Sequence, residues 1–317
     1  MIKTKIDSRR ITLFLLFSFG ITWAFALAIH FTGGLADLSL GTTAWFLMVF
    51  AMFSPALANV LTRWITKEGW KDSYLKVHLK QNRRYWLIAW VVAPILLLVG
   101  TGIYFVIFPH NFDTSYAAIN KVLAQTAQRT GKPIPVSPQL FILIQAIQVI
   151  LLAPILNSIA TFGEEFGWRA YLLQKFMPLG ARKATLIIGL IWGIWHWPFI
   201  YMGYEYGFDY PGFPWLGYLV FLWFTFIVSI FLVWLTLKTK SVWPAVISHA
   251  AVNGMAPLAL LLVKGQPNSL LGPGAVGLLA SLPFAILALI LFLRSDVFSP
   301  TESLYQPSEL LSAGGKA

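Results

Sequence analysis

The stretch FILIQAIQVILLAPILNSIATFGEEFGWRAYL, residues 141–172, decides the fold. Residues 141–162 contain no charged side chain, and a bilayer core requires a helix of about 20 predominantly apolar residues. Two adjacent carboxylates, Glu164 and Glu165, follow directly. An ionisable group at membrane depth costs at least about 2.5–3.5 kcal/mol, so such groups normally face a bundle interior and serve a function. The stretch therefore predicts a membrane helix that carries functional carboxylates.

Apolar runs of this kind recur along the whole chain. Of its 317 residues 58% are hydrophobic and 11% are charged, whereas a soluble domain carries about 25% charged residues. We predict an all-α, polytopic membrane helix bundle with about eight transmembrane helices and a central polar active-site cavity. The predicted domain is 11–295, with a motif-bearing core at 139–263 and cytoplasmic tails at 1–10 and 296–317. Its helices are predicted near 11–31, 43–65, 85–108, 139–162, 183–201, 214–237, 241–263 and 274–294.

Positive charge indicates the orientation of this bundle. With a cytoplasmic N-terminus, 19 of the 23 lysines and arginines lie in inside segments, and Lys121, Arg129, Lys132 and Lys264 lie outside. This bias predicts a multi-pass protein with both termini cytoplasmic, in a bacterial inner or plasma membrane. The basic clusters lie between apolar runs and form no long arm, so no nucleic-acid partner is expected. The chain has no cysteine, which excludes disulfides and thiolate chemistry.

Residues 109–138 form a polar segment between two predicted helices. A loop of this length is uncommon in a compact domain unless it is functional or disordered. The sequence leaves both possibilities open, either a lid or substrate-entry element or a disordered loop.

The acidic residues are few, which makes the adjacent pair unusual. Ten of the twelve are expected in tails, loops or helix ends: Asp7, Asp37, Glu68, Asp72, Asp113, Glu205, Asp209, Asp296, Glu302 and Glu309. Glu165 and Arg169 stand at i and i+4 with the acid on the N-terminal side, the favourable order for an ion pair. Glu164 points about 100° away on the helix and is free to meet other helices. We expect a structural pair for Glu165 and a functional carboxylate in Glu164.

Two histidines are predicted at membrane depth, whereas His30, His78 and His110 lie at helix ends or in loops. His196 lies about 13 residues past Lys183, roughly 20 Å along a helix, and His249 lies roughly 13 Å past Lys240. Asn253 shares a helix face with His249. Each polar residue alone could be an interhelical hydrogen bond. Together, a carboxylate, two imidazoles and an amide supply a base, an orienting group and oxyanion donors, the groups needed to hydrolyse an amide.

Three spaced motifs carry these residues. They are Glu-Glu-x-x-x-Arg at 164–169, Trp-x-x-x-His at 192–196 and His-x-x-x-Asn at 249–253. In order and spacing they resemble the signature of the CPBP family. That family comprises membrane proteases that include type II CAAX prenyl endopeptidases and bacterial proteins of bacteriocin processing and immunity. The family usually has phenylalanine where this chain has Trp192, so an aromatic is retained but is larger.

The resemblance implies an intramembrane endopeptidase that cleaves a membrane-associated or lipidated, CAAX-like peptide or protein at the bilayer. In this scheme Glu164 activates water together with His196. His249 and Asn253 stabilise the oxyanion, while Glu165 and Arg169 position the site.

The use of a metal stays open at this stage. Glu164, His196 and His249 would form a catalytic Zn²⁺ set of two imidazoles and one carboxylate, and the family's usual label is metalloprotease. Without a metal, Glu164 must be ionised although burial opposes its charge, and a nearby His or Arg must counter that effect. We favour the metal-free glutamate interpretation.

Two functions of other classes compete with proteolysis. One is a non-catalytic bacteriocin-immunity or scaffold membrane protein, against which the complete motif set argues. The other is a proton-coupled transporter that uses the two glutamates as a relay. No internal repeat supports the transporter.

The orientation can be tested with reporter fusions. Because residues 63–84 hold seven lysines and arginines, a reporter active only in the cytoplasm should be active when fused within 67–84. A reporter active only outside should be active within 109–138. The opposite pattern would contradict the predicted orientation.

Overall fold

The computed structural model describes residues 6–35 and 37–298. Residues 1–5 of the predicted N-terminal tail and 299–317 of the predicted C-terminal tail lie outside the described residues. The α-helices are α1 Ser8–Phe31, α2 Thr43–Met52, α3 Ser54–Thr66, α4 Leu79–Ile107, α5 Ala117–Thr130, α6 Pro138–Leu151, α7 Ala153–Leu156, α8 Ser158–Gly167, α9 Leu173–Phe176, α10 Ala181–Trp195, α11 Trp197–Tyr201, α12 Trp215–Thr239, α13 Trp243–Met255 and α14 Leu282–Arg294. A π-helical segment, Trp168–Leu172, joins α8 to α9, and short 3-10 turns occupy Pro109–Asn111, Met177–Leu179, Ala259–Leu262 and Asp296–Phe298.

The all-α membrane bundle is confirmed. Within the described residues, four helical segments are long and apolar enough to cross a membrane: Ser8–Phe31, Leu79–Ile107, Trp215–Thr239 and Trp243–Leu262. The pair α2 and α3 would make a fifth span with a bend of 41°. The number eight stays a prediction, because the other apolar helices are short or broken.

Prolines break several of the predicted spans. A proline inside a helix removes one backbone hydrogen bond and clashes with the carbonyl four residues earlier. Pro55 lies next to the bend between α2 and α3, Pro154 follows the end of α6, and Pro198 follows the end of α10. The predicted helix 139–162 is therefore three helices in the structure, α6, α7 and α8.

Helices α12 and α13 form the centre of the bundle. The apolar windows of these two spans are 72% and 67% buried, whereas those of α1 and α4 are 28% buried. A helix surrounded by other helices buries all its faces, while an outer helix in a bilayer leaves apolar side chains on its lipid-facing side. Helix α12 packs against α10, α13 and α14, and α13 also packs against α4, α7 and α8.

Two glycines let α8 approach the bend between α2 and α3. A Cβ atom at Gly163 would lie 2.5 Å from the carbonyl oxygen of Met52, and one at Gly167 would lie 2.6 Å from the carbonyl oxygen of Pro55. Small residues spaced four apart allow such close backbone contact between membrane helices. The two glycines flank the glutamate pair, so this contact positions both carboxylates.

The segment 109–138 is structured within the described residues. It contains α5, and its backbone is tied to the end of the α13 span by hydrogen bonds from Asp113 N to Leu262 O (2.9 Å) and from Lys264 N to Asn111 O (2.7 Å). The possibility that the whole loop lacks structure is therefore wrong. Its role as a lid or entry element stays a prediction.

The predicted helix 274–294 begins later than expected. Helix α14 starts at Leu282, and residues 264–281 form turns. Gly265, Gly272, Pro273 and Gly274 lie in this stretch, and glycine and proline disfavour a helix interior. Because residues 274–281 are largely apolar, the hydrophobic pattern extended the predicted helix over residues that form turns.

Gly167→Ala tests the close contact at α8. The new methyl group would meet the Pro55 backbone, which cannot move aside as a flexible side chain can, so the free energy of unfolding should fall by about 1–3 kcal/mol. The matched control is Gly20→Ala in α1, where no atom lies within 4 Å of the new Cβ. Denaturant unfolding in mild detergent measures both. Equal stability of the two variants would contradict the packing described here.

Candidate active site

Helix α8 places both glutamates in the protein interior. The exposed fraction is 2% for Glu164 and 0% for Glu165. Helix α8 is tied to α13 by hydrogen bonds from Thr161 Oγ1 to Val246 O (3.1 Å) and from Asn157 Nδ2 to Ala250 O (3.2 Å). These side-chain bonds place the glutamate helix beside the helix that carries His249.

Glu165 contacts an arginine and a histidine through one oxygen. Its Oε1 atom lies 2.9 Å from Arg169 Nη1, the pair that the i, i+4 spacing predicts, and 2.8 Å from His249 Nδ1. Arg169 is fully buried and also donates to Ser229 Oγ on α12 at 3.0 Å. Glu165 therefore connects α8 to α13 directly, and Arg169 connects this network to α12.

Glu164 points to a different helix, as the helical geometry predicts. Its Oε2 atom accepts a hydrogen bond from the indole Nε1 of Trp192 at 2.6 Å. The Trp192 ring also lies under the Arg169 guanidinium, 4.6 Å from its centroid, and contacts the ring of His249 at 5.2 Å. The tryptophan that replaces the family's usual phenylalanine thus supplies a hydrogen bond that phenylalanine cannot make.

The break after α10 orients His196. Its backbone N–H bonds to Gly193 O at 3.1 Å, and its ring Nδ1 lies 2.9 Å from the carbonyl oxygen of Trp192. A carbonyl only accepts hydrogen bonds, so Nδ1 carries the proton and Nε2 of the neutral ring is an acceptor. His196 is therefore held in the tautomer that a base requires.

His249 also bonds through Nδ1, but to a different partner, the Glu165 carboxylate. Within the described residues, Nε2 makes no hydrogen bond to the protein in either histidine. The two imidazoles are thus suited to different tasks.

A cavity of about 120 Å³ brings most of the predicted site together. Its lining includes Glu164, Trp192, His196, His249 and Asn253. Asn253 is exposed, and His196 is half-buried. Glu165 and Arg169 are not part of the lining, so they act on the cavity through His249 and Trp192. All six predicted site residues belong to this one assembly.

The three residues proposed for a metal do not form a metal-binding cluster. In residues 6–35 and 37–298, no three His, Cys, Asp or Glu side chains are grouped so that they could hold one ion. Each of Glu164, His196 and His249 instead has a protein partner: Trp192 Nε1, Trp192 O and Glu165, respectively. These bonds leave Nε2 of both histidines and Oε1 of Glu164 without a protein partner among the described residues, so the use of a metal stays a prediction. The chemistry below is derived from side chains alone.

A second carboxylate also lines the cavity, and the sequence analysis assigned it only to a tail, loop or helix end. It is Glu205, which lines the cavity together with Tyr204 and lies in the segment between α11 and α12. Burial raises the pKa of Glu205 to about 7, while a hydrogen bond with Tyr204 opposes that shift. Nothing in the local sequence signals this placement, because the turn that directs the side chain inward depends on contacts with distant segments.

The fold and the cavity define a class, a polytopic membrane protein with a buried glutamate and histidine site. Comparison with known proteins refines it. Residues 139–255 match the family described as Type II CAAX prenyl endopeptidase Rce1-like. The resemblance to the CPBP family is thereby confirmed for this segment, which holds all three motifs.

The chain is also similar to a curated protein. CAAX prenyl protease 2 of Methanococcus maripaludis is 33% identical over 97 residues, which is 30% of this chain. The chain therefore spans about a third of this relative's length, 35%.

Trp192→Phe tests whether the indole N–H stabilises Glu164. The change should leave the buried carboxylate without its donor and lower the free energy of unfolding by about 1–3 kcal/mol. In a Glu164→Leu background the same change should cost much less, because the acceptor is gone. A double-mutant cycle of denaturant unfolding measures the difference.

Trp197→Phe is the matched control, because the Trp197 Nε1 atom has no hydrogen-bond partner among the described residues. It should change stability by less than Trp192→Phe does. No coupling between Trp192 and Glu164 would contradict a stabilising role for their hydrogen bond.

Proposed function

We propose that this chain is an intramembrane endopeptidase that hydrolyses a peptide bond with a water molecule activated by Glu164 and His196. One observation carries the proposal: a carboxylate, two imidazoles with available Nε2 atoms and an amide line one cavity inside a membrane bundle. This set contains a base and oxyanion donors, and the family match of residues 139–255 supports proteolysis.

In the first step Glu164 is the general base. Trp192 Nε1 holds Oε2, which leaves Oε1 to take a proton from water. The Nε2 atom of His196 accepts the second hydrogen of the same water and orients it. The water oxygen then forms a bond to the peptide carbonyl carbon, and the carbonyl π electrons move to oxygen.

His249 and Asn253 would stabilise the resulting oxyanion. In this scheme His249 carries a proton on both ring nitrogens, so that Nδ1 donates to the Glu165 carboxylate and Nε2 donates to the oxyanion. The Asn253 amide provides a second donor from the same face of α13. The pairing of Glu165 with His249 resembles the way a carboxylate orients an imidazole in other hydrolases.

Collapse of the tetrahedral intermediate completes the reaction. The oxyanion re-forms the carbonyl, the carbon–nitrogen bond breaks, and the leaving amine takes the proton that Glu164 accepted. Glu164 returns to its ionised form. The products are an amine and a carboxylic acid, which keeps the second hydrogen of the water, and no further reactant is needed.

The lining of the cavity supports a substrate class. Met48, Met52, Phe224 and Val252 also line the cavity, so its wall is largely apolar. We propose a membrane-associated or lipidated, CAAX-like peptide or protein that enters from the bilayer. The similarity to CAAX prenyl protease 2 of Methanococcus maripaludis supports a CAAX-type peptide.

Glu164→Gln and Glu165→Gln should differ in their effects. Glu164→Gln keeps size but removes the base, so proteolysis should fall by about 10²–10⁴-fold while the fold is retained. Glu165→Gln removes the partner of both Arg169 and His249, and breaking a buried pair can cost about 3–5 kcal/mol. It should therefore lower stability and activity together. Both effects are measured in the same detergent, by denaturant unfolding and peptide cleavage.

Asp209→Asn is the matched control, because Asp209 is an exposed carboxylate that is not part of the cavity lining. Wild-type cleavage by Glu164→Gln would disprove the mechanism. A biological effect that survives Glu164→Gln would instead favour the immunity or scaffold function, and flux driven by a pH gradient would favour the transporter.

A further inference from the structure

We infer that Glu205 forms a subsite for a cationic side chain of the substrate, a lysine or arginine close to the cleaved bond. The inference rests on the proposed function, because it assigns substrate specificity to the same cavity. Glu205 lines that cavity together with Glu164, although the two residues come from different parts of the chain. A side chain that reaches Glu205 must therefore belong to a residue near the scissile peptide.

The Glu205 backbone is held in an unfavourable conformation. Its φ angle is +67°, in the left-handed region that costs a non-glycine residue energy. Such a conformation persists when the surrounding structure holds it in place, and it occurs often at ligand-binding sites. Here it turns the carboxylate towards the cavity.

Hydrogen bonds on both sides of Glu205 hold this turn. Tyr204 N donates to Phe199 O at 3.0 Å, which anchors the turn to α11. Tyr206 Oη donates to Val276 O at 3.2 Å, and Ser269 Oγ donates to Tyr206 O at 2.8 Å. These bonds tie the turn to residues 269–276, so the backbone that carries Glu205 is held in place before a substrate binds.

Glu205 lacks a counter-charge from the protein. Among the described residues, no lysine, arginine or histidine lies within ion-pair distance of its carboxylate. Burial disfavours the charged carboxylate and accounts for its raised pKa. A cation bound beside it would remove that penalty. A neutral or anionic group would not.

The neighbouring wall suits the rest of a basic side chain. Trp195, Phe199, Tyr204 and Phe221 line the same cavity as Glu205. Aromatic faces attract a cation, and the apolar stem of lysine or arginine packs well on aromatic carbon. The subsite thus combines one carboxylate with an aromatic wall.

Matched peptides test the subsite. The probes are pairs of apolar peptides that are identical except at one position, where one peptide has lysine and the other has norleucine. Each pair in the series varies a different position on either side of the cleaved bond. Wild-type protein in detergent should cleave the lysine peptide at least about tenfold more efficiently in kcat/KM at one position, because close charge pairs couple strongly. In Glu205→Gln this ratio should fall to near one. Asp209→Asn, an exposed carboxylate in the same loop, should keep the wild-type ratio.

The outcomes separate this inference from the proposed function. If Glu205→Gln keeps the wild-type ratio of kcat/KM for the lysine and norleucine peptides, the subsite is overturned. An equal loss of kcat/KM with both peptides would also overturn it, because such a loss indicates a catalytic or structural role. If the wild-type protein cleaves neither peptide, the proposed function fails. Binding to intact protein, followed by tryptophan fluorescence, then tests the subsite directly. The subsite is supported if the wild-type protein binds the lysine peptide more tightly than the norleucine peptide and Glu205→Gln removes this difference. Equal binding of both peptides by the wild-type protein would overturn the subsite.

Discussion

The buried charges around Glu165 are the constraint on which the site depends. A carboxylate or guanidinium without a partner at this depth is very costly, so each charge requires a neighbour of opposite sign or a hydrogen-bond donor. Glu165 provides that neighbour for both Arg169 and His249 through one oxygen atom. Because these residues come from α8, its π-helical extension and α13, the requirement for pairing also sets the position of the helices.

This arrangement gives the two adjacent glutamates different environments. Glu165 bonds to Arg169 and His249, whereas Glu164 meets an indole N–H at the cavity. The two partners hold the Glu165 carboxylate in place. The single neutral donor on Glu164 leaves one oxygen free for chemistry. Trp192 contacts Arg169 and His249 and also donates to Glu164, so it connects the Glu165 network to the proposed base.

Breaks in the helices are as important to the site as the helices themselves. The interruption after α10 places the ring of His196 on the carbonyl of Trp192, a contact that a continuous helix would not leave available. Arg169 lies in the π-helical segment and bonds to Glu165 in α8. Irregular backbone at membrane depth is tolerated where protein surrounds it or a cavity adjoins it, and both conditions hold here.

The sequence by itself determined the membrane class, the motif core and the pairing of Glu165 with Arg169. These depend on composition and on spacing along one helix, which local geometry sets. Only the tertiary structure decided that His249 bonds to Glu165, that Trp192 donates to Glu164 and that Glu205 lines the cavity. Each of these contacts joins residues from separate helices or loops. Their distances depend on how the helices pack and where prolines break them, and spacing along the chain carries no information about either.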